Sequence, residues 1–113
     1  YYMEDLRHEK QEHMKLLLLN TKTKLIGETI ISKGTVNAAI ISPRELFIEA
    51  LQKGAVSIIL LHNHPSGDPT PSKEDIIITK QIQGAGELLG VNLLDHIIIG
   101  NNCYVSMREK KLF

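Results

Sequence analysis

The feature that most constrains this chain is a run of apolar residues at positions 55–61, AVSIILL, which leads directly into His-Asn-His-Pro. Every residue of the run except Ser57 is apolar, so both faces of an extended segment would avoid water. Strands of this kind lie in the middle of a sheet that helices cover. The run therefore predicts a central strand with a helical layer on each side.

The segments before this run predict a helix, a β-hairpin and a second helix. Residues 3–13, MEDLRHEKQEH, are strong helix formers with few apolar positions, which is typical of a mostly solvated helix. Strands are expected at 14–20 and 24–33, with the polar residues 21–23 as the turn between them. In SPRELFIEALQKG, Ser42 is the expected N-cap of a helix that ends at Gly54. Its apolar stripe consists of Leu46, Phe47, Ala50 and Leu51.

The segments after the run predict another helix and two further strands. Positions 72–89 form the helix, and Gly90 is its expected end. Gly84 and Gly86 weaken this helix and are expected to mark a close approach of the backbone. NLLDHIIIG and NCYVSM are expected to be strands joined at Gly100-Asn101. The apolar stripe of the helix consists of Ile78, Ile82, Ala85 and Leu89. Helices that alternate with a mixed sheet indicate the α/β class, as a three-layer α/β/α domain.

Length and composition limit the function classes. The 113 residues suit a single domain, 1–113, and because the chain begins with Tyr1 we expect it to be excised from a longer protein. One cysteine excludes an internal disulfide, which favours the cytoplasm. No apolar run reaches the ~20 residues that span a bilayer, so no membrane association is expected. The 13 basic and 13 acidic residues cancel, so strong nucleic-acid binding is not expected, while a homo-oligomer is compatible with the sequence.

Three residues after the central strand have the spacing of metal ligands. His62 and His64 lie two positions apart in an extended segment, so their imidazoles point to the same side. The Pro- and Gly-rich loop that follows can return the chain to them, and Asp75 falls in the first turn of the next helix. Two imidazoles and one carboxylate with a vacant fourth position are the ligand set of a catalytic zinc ion. The ligands alone do not choose the metal, and an iron oxygenase uses the same set.

The motif His62-x-His64 with Asp75, Ser72 and an upstream Glu28 resembles the JAB/MPN metalloprotease motif. More closely, the stretches LHNHPSGDPTPSKED, GTVNAAIISPRELF and LLDHIIIG look like the RadC-like family. The resemblance covers nearly the whole chain from about Lys15 onward.

The resemblance implies an α/β/α deaminase-like MPN fold and a hydrolase of peptide or isopeptide bonds that takes a protein or peptide substrate. It implies that His62, His64 and Asp75 bind zinc. It also implies that Glu28 is the general acid/base and that Ser72 supports the oxyanion. Peptidase members usually carry Ser or Thr between the two histidines, where this chain has Asn63.

Several interpretations stay open beside this one. The same fold serves as a non-catalytic interaction module, and RadC-like proteins were named for DNA repair, so an accessory role in repair is the alternative. "SKED" is also a capping-box pattern, and Ser72 can cap a helix and support an oxyanion at once. His96, beside Asp95, is either a residue that supports the metal ligands or an ordinary structural histidine of a strand.

Overall fold

The computed structural model describes residues 12–34 and 41–113, with side chains at 12–31 and 41–113. Its elements are β1 (Glu12–Leu19), β2 (Leu25–Gly34), α1 (Pro43–Gln52), β3 (Ser57–Asn63), α2 (Lys73–Leu89), β4 (Asn92–Ile99) and β5 (Tyr104–Ser106). The strands form one sheet in the order β2-β1-β3-β4-β5. β3 and β4 are parallel, and the other neighbouring pairs are antiparallel. The expected α/β class with a mixed sheet is confirmed.

The predicted hairpin is confirmed, but its first strand begins earlier than expected. The Asn20 side chain accepts hydrogen bonds from the backbone N–H groups of Lys22 and Lys24, and these bonds shape the turn. Glu12 and His13 belong to β1, so the predicted helix at 3–13 is wrong at these two positions; residues 3–11 lie outside the described part of the chain. Pairing of Glu12 with Gly34 of β2 outweighs the helix propensity of the sequence.

Both predicted central helices are confirmed with their caps. The Ser42 side chain accepts a hydrogen bond from Glu45 N–H at the start of α1, and Gly90 ends α2 in the left-handed conformation. Leu51 and Leu89 were expected on the apolar stripes, but they are half exposed because the helices turn these positions toward solvent. The predicted close approach is confirmed at Gly86, where a Cβ would lie 2.2 Å from the Val91 carbonyl oxygen, and is wrong at Gly84, where it would meet nothing within 4 Å.

The two faces of the sheet differ in what covers them. One face, the helix face, packs against α1 and α2, which contribute Leu46, Phe47, Ala50, Ile78 and Ile82 to the main core cluster. The other face, the opposite face, carries a smaller cluster of Leu17, Leu61 and Ile99. The helix expected over the opposite face is not among the elements that residues 12–34 and 41–113 form. β3 lies between β1 and β4, as a central strand should.

Strand alternation decides which face each residue of β1 and β3 occupies. Met14 is fully buried in the main cluster and pairs with His62, so the end of β3 presents His62 to the helix face. α2 begins shortly after β3 ends, and its first turn lies against the same end of the sheet. None of the helices in the described residues is long and apolar enough to cross a membrane.

Candidate metal centre

His62 brings two buried ring nitrogens to the end of the central strand. The residue is 2% exposed, and neither nitrogen has a hydrogen-bond partner within the described part of the chain. Its Nδ1 lies 3.6 Å from Asp75 Oδ1, and its Nε2 lies 3.6 Å from Glu12 Oε2. Burial lowers the pKa of His62, and the Asp75 carboxylate offsets only part of this effect. The neutral imidazole, which is the form that binds metals, is therefore favoured.

His64 is oriented by its own loop. Its Nδ1 lies 2.9 Å from the Asp68 carbonyl oxygen. Because a carbonyl oxygen only accepts, Nδ1 carries the hydrogen and Nε2 keeps its lone pair. That Nε2 lies 3.6 Å from Asp75 Oδ2, and the interaction with the Asp75 carboxylate raises the pKa of His64. A backbone carbonyl that holds the outer nitrogen of a histidine is the usual support for a metal ligand.

Asp75 is fixed by the cap of α2. Its N–H donates to Ser72 Oγ at 3.0 Å, and its Oδ2 accepts from Ser72 N–H at 2.9 Å, so the predicted capping box is confirmed. Burial by itself would raise the pKa of Asp75. The interaction with the His64 ring and the hydrogen bond from the Ser72 amide outweigh burial and hold that pKa well below its usual range. The carboxylate is therefore ionised and rigid without any metal.

These three side chains form one group. One ligand atom from each of His62, His64 and Asp75 lies within 4.8 Å of the other two. Two imidazoles and a carboxylate at the edge of a sheet fit a catalytic divalent ion, and a metal would also satisfy the buried nitrogens of His62. The structure thus brings together the three residues that the sequence spacing selects.

The structure adds Glu12 to this group. Glu12 lies two positions before Met14 in β1, so alternation places it on the helix face beside His62. Its side chain is 27% exposed, and its carboxylate faces His62 at 3.6 Å. Sequence reasoning missed Glu12 because residues 3–13 were assigned to a helix. No sequence pattern reveals its face, because Leu16–Leu19 are all apolar; the observed strand places Glu12 on the helix face with Leu16 and Leu18.

The structure does not bring Glu28 to the group. Glu28 pairs with Leu17, which belongs to the cluster on the opposite face of the sheet. Its carboxylate lies 3.9 Å from Lys15 Nζ, and its side chain is 43% exposed. The assignment of Glu28 as the acid/base is corrected on this ground: the sheet separates its carboxylate from the two histidines.

His96 lies behind the group, fully buried in β4. Thr79 Oγ1 donates to the Asp75 carbonyl oxygen at 2.5 Å and lies 2.7 Å from His96 Nδ1, so His96 donates to Thr79. The His96 ring also stacks on His62, with 5.9 Å between the ring centroids. Burial lowers the pKa of His96 to about 3, which keeps it neutral. His96 therefore contacts one proposed ligand directly and reaches another through Thr79.

The loop between His64 and Ser72 is held against the turn that follows β4. Asn101 N–H donates to the Gly67 carbonyl oxygen at 2.9 Å. A Cβ at Gly100 would lie 2.3 Å from that same oxygen, so only glycine allows this approach. The contact fixes the loop whose Asp68 carbonyl orients His64.

Comparison with known proteins agrees with this geometry. The model of the RadC-like JAB domain family matches residues 1–112. A UPF0758 protein of Clostridium novyi is 51% identical over 97% of this chain and 48% of its own length. UPF0758 proteins of Desulforamulus reducens and Clostridium botulinum strain Langeland are 54% and 58% identical, over 97% and 96% of this chain and 48% and 47% of their own lengths. The chain thus spans about half the length of these relatives, and it belongs to the RadC-like JAB domain family.

Proposed function

We propose that this chain is a zinc-dependent hydrolase of peptide or isopeptide bonds. The observation that carries the proposal is the convergence of His62, His64 and Asp75, with a fourth ionisable side chain, Glu12, at 3.6 Å from His62. Three protein ligands with an open position distinguish catalytic zinc sites from structural ones, which are closed by four. Membership of the JAB domain family supports the same reaction class.

The roles follow from where each group lies. His62, His64 and Asp75 would hold the ion, which supplies Lewis acidity that acidifies water and polarises a carbonyl group. Glu12 accepts a proton from the water molecule while the water oxygen attacks the carbonyl carbon of the substrate. When the C–N bond breaks, Glu12 passes this proton to the leaving amine, so the products are an amine and a carboxylic acid, which then releases its proton to water. The acid/base role thus moves from Glu28 to Glu12.

Ser72 keeps its proposed place beside the reacting carbonyl. Its Oγ already accepts the Asp75 N–H, so the hydroxyl hydrogen can still donate to a developing oxyanion. We assign a protein or peptide as the substrate because of the resemblance to the JAB/MPN metalloprotease motif. The 13 basic and 13 acidic residues leave no net charge that would favour a nucleic acid instead.

An unbiased cleavage assay tests the proposal. A cell extract whose amines have been blocked is incubated with the zinc-loaded chain, and newly released amines are identified by mass spectrometry. Both peptide and isopeptide cleavage release an amine, so one label detects both reactions. We expect new amines with the wild-type chain and none with the His62→Ala/His64→Ala variant. A zinc-loaded chain that releases no amine would instead support the non-catalytic interaction module.

A further inference from the structure

The pairing between β1 and β3 ends before it reaches the proposed base. The last paired residues of the two strands are Met14 and His62, and Glu12 lies two positions beyond Met14. Past His62, the backbone of β3 follows β4 instead: Asn63 pairs with Ile99, and His64 N–H donates to the Ile99 carbonyl oxygen. β2 pairs with Glu12 and His13 along the other edge of β1, and on the edge toward β3 the paired ladder stops at Met14. A contact across that edge would fix how close the start of β1 lies to the end of β3.

The Asn63 side chain supplies such a contact. Its Oδ1 accepts the His13 backbone N–H at 2.5 Å, in a buried position that joins residues 50 apart in the chain. Asn63 itself is 2% exposed. Because side chains alternate along a strand, Asn63 points away from His62 and His64. It bonds instead to the residue directly after Glu12.

We propose that Asn63 is a positioning residue that holds the Glu12 carboxylate beside the metal centre through its hydrogen bond to His13. The inference rests on the acid/base role proposed for Glu12. A base must lie within hydrogen-bond reach of the proton that it takes, and a displacement of about 1 Å can cost on the order of a hundredfold in rate. One residue between the ligands thus links the strand that ends in the metal site to the strand that carries the base.

The hydrogen bond can be tested in the wild-type chain without any substitution. In the zinc-loaded chain, NMR should detect a scalar coupling between the His13 amide nitrogen and the Asn63 side-chain carbonyl carbon. Asn63→Leu removes the acceptor at similar size, and we expect the His13 amide to exchange its hydrogen about tenfold faster in it. Asn63→Asp keeps the acceptor oxygen and should exchange like wild type. Absence of the coupling overturns the proposal, even if Asn63→Leu does not fold.

The positioning role is tested without a substrate, in the chain loaded with Co²⁺. The visible absorption of Co²⁺ responds to groups around its ligands, so Glu12→Gln should shift the band. Asn63→Leu should shift it in the same direction, and the double variant should match Glu12→Gln alone, because Asn63 acts through Glu12. Affinity for Co²⁺ should stay within about threefold of wild type in Asn63→Leu, which removes no ligand.

Three further outcomes would overturn the proposal: a Co²⁺ band that Asn63→Leu leaves unchanged, additive shifts in the double variant, or no shift in Glu12→Gln. None of these measurements uses a substrate. A chain that passes them and hydrolyses nothing would refute the proposed function and leave the role of Asn63 intact.

Discussion

The two faces of the sheet carry the same kind of carboxylate in different surroundings. On the helix face, Glu12 lies 3.6 Å from a histidine whose side chain is 3% exposed. On the opposite face, Glu28 lies 3.9 Å from Lys15, and its side chain is 43% exposed. An exposed ion pair contributes little to stability. The pair with Lys15 also leaves the Glu28 carboxylate on the face away from the proposed metal ligands. A glutamate next to a buried imidazole, close to two further metal-ligand candidates, is placed to move protons.

Residue type and strand membership do not by themselves identify an acid/base residue. Both glutamates lie on strands of the β1–β2 hairpin, and only the register between the strands separates them. The neighbours of each carboxylate decide its chemistry, and these neighbours lie across the sheet.

The largest change in kcat/KM is expected when each of the two glutamates is replaced by glutamine in turn. Glu12→Gln should lower kcat/KM by about 10²–10⁴-fold, the usual contribution of a general acid/base, and should keep the metal. Glu28→Gln is the matched control on the opposite face and should change kcat/KM less than twofold. The measurement is steady-state kinetics on a substrate found in the cleavage assay. The reverse order of the two variants would restore Glu28 as the base.

Zinc affinity should also differ between a variant on the helix face and one on the opposite face. His62→Ala should lower zinc affinity by about 100- to 1,000-fold, since structural zinc sites with four protein ligands gain about 10–16 kcal/mol in all, or about 3 kcal/mol for each ligand. Glu28→Gln should leave the affinity unchanged. Competition with a chromophoric chelator measures both variants, and elemental analysis gives the stoichiometry. Equal affinity of His62→Ala and wild type would remove the metal site from the helix face.

Two serine N-caps on the helix face allow the cap role and the proposed oxyanion role of Ser72 to be separated. Ser42 caps α1 and Ser72 caps α2, so changing either to Ala should cost about 1 kcal/mol of stability in urea unfolding. Ser72→Ala should also lower turnover by about a hundredfold if its hydroxyl supports the oxyanion. Ser42→Ala, with the same loss of stability, is the control for turnover. Matching rates in the two variants would leave Ser72 with the cap alone.

The pH dependence of stability tests the buried histidine behind the site. The pKa of His96 is lowered to about 3, against about 6.5 in an unfolded chain. Between these values the unfolded chain binds the extra proton, so stability falls as pH is lowered through this range. From pH 7 to pH 5 the metal-free chain should lose about 2 kcal/mol through His96, measured by urea unfolding. Over the same pH range the His96→Gln variant should lose about 2 kcal/mol less than the wild-type chain. An identical loss in both chains would contradict the lowered pKa of His96.

Local signals in the sequence predict much of the fold. The helix ends could be predicted from Ser42, Ser72 and Gly90, because a cap depends on residues within one turn. The same holds for His62, His64 and Asp75, which one strand, one loop and one helical turn bring together. These features could be read from the sequence since each involves residues close together in the chain.

The rest depends on strand register, which the sequence does not state. In β1 the residues Leu16–Leu19 are all apolar, so alternation does not reveal which of them face the helices. Glu12 falls among strong helix formers, and only its pairing with β2 makes it part of a strand. Glu28 was selected for its position upstream of the motif, whereas its face is set by its partner Leu17.

The distances along the chain between the contacting groups have a consequence for unfolding. The proposed ligands all lie between positions 62 and 75, whereas the contact from Asn63 to His13 joins residues 50 apart. Closing the longer loop costs about 1 kcal/mol more in chain entropy, because each doubling of loop length adds about 0.6 kcal/mol. The contact that holds β1 and Glu12 therefore costs more chain entropy than the closure of the segment 62–75. We expect a chain that begins to unfold to lose Glu12 from the group while the segment 62–75 is still closed, so the proposed reaction would stop before a bound metal is released.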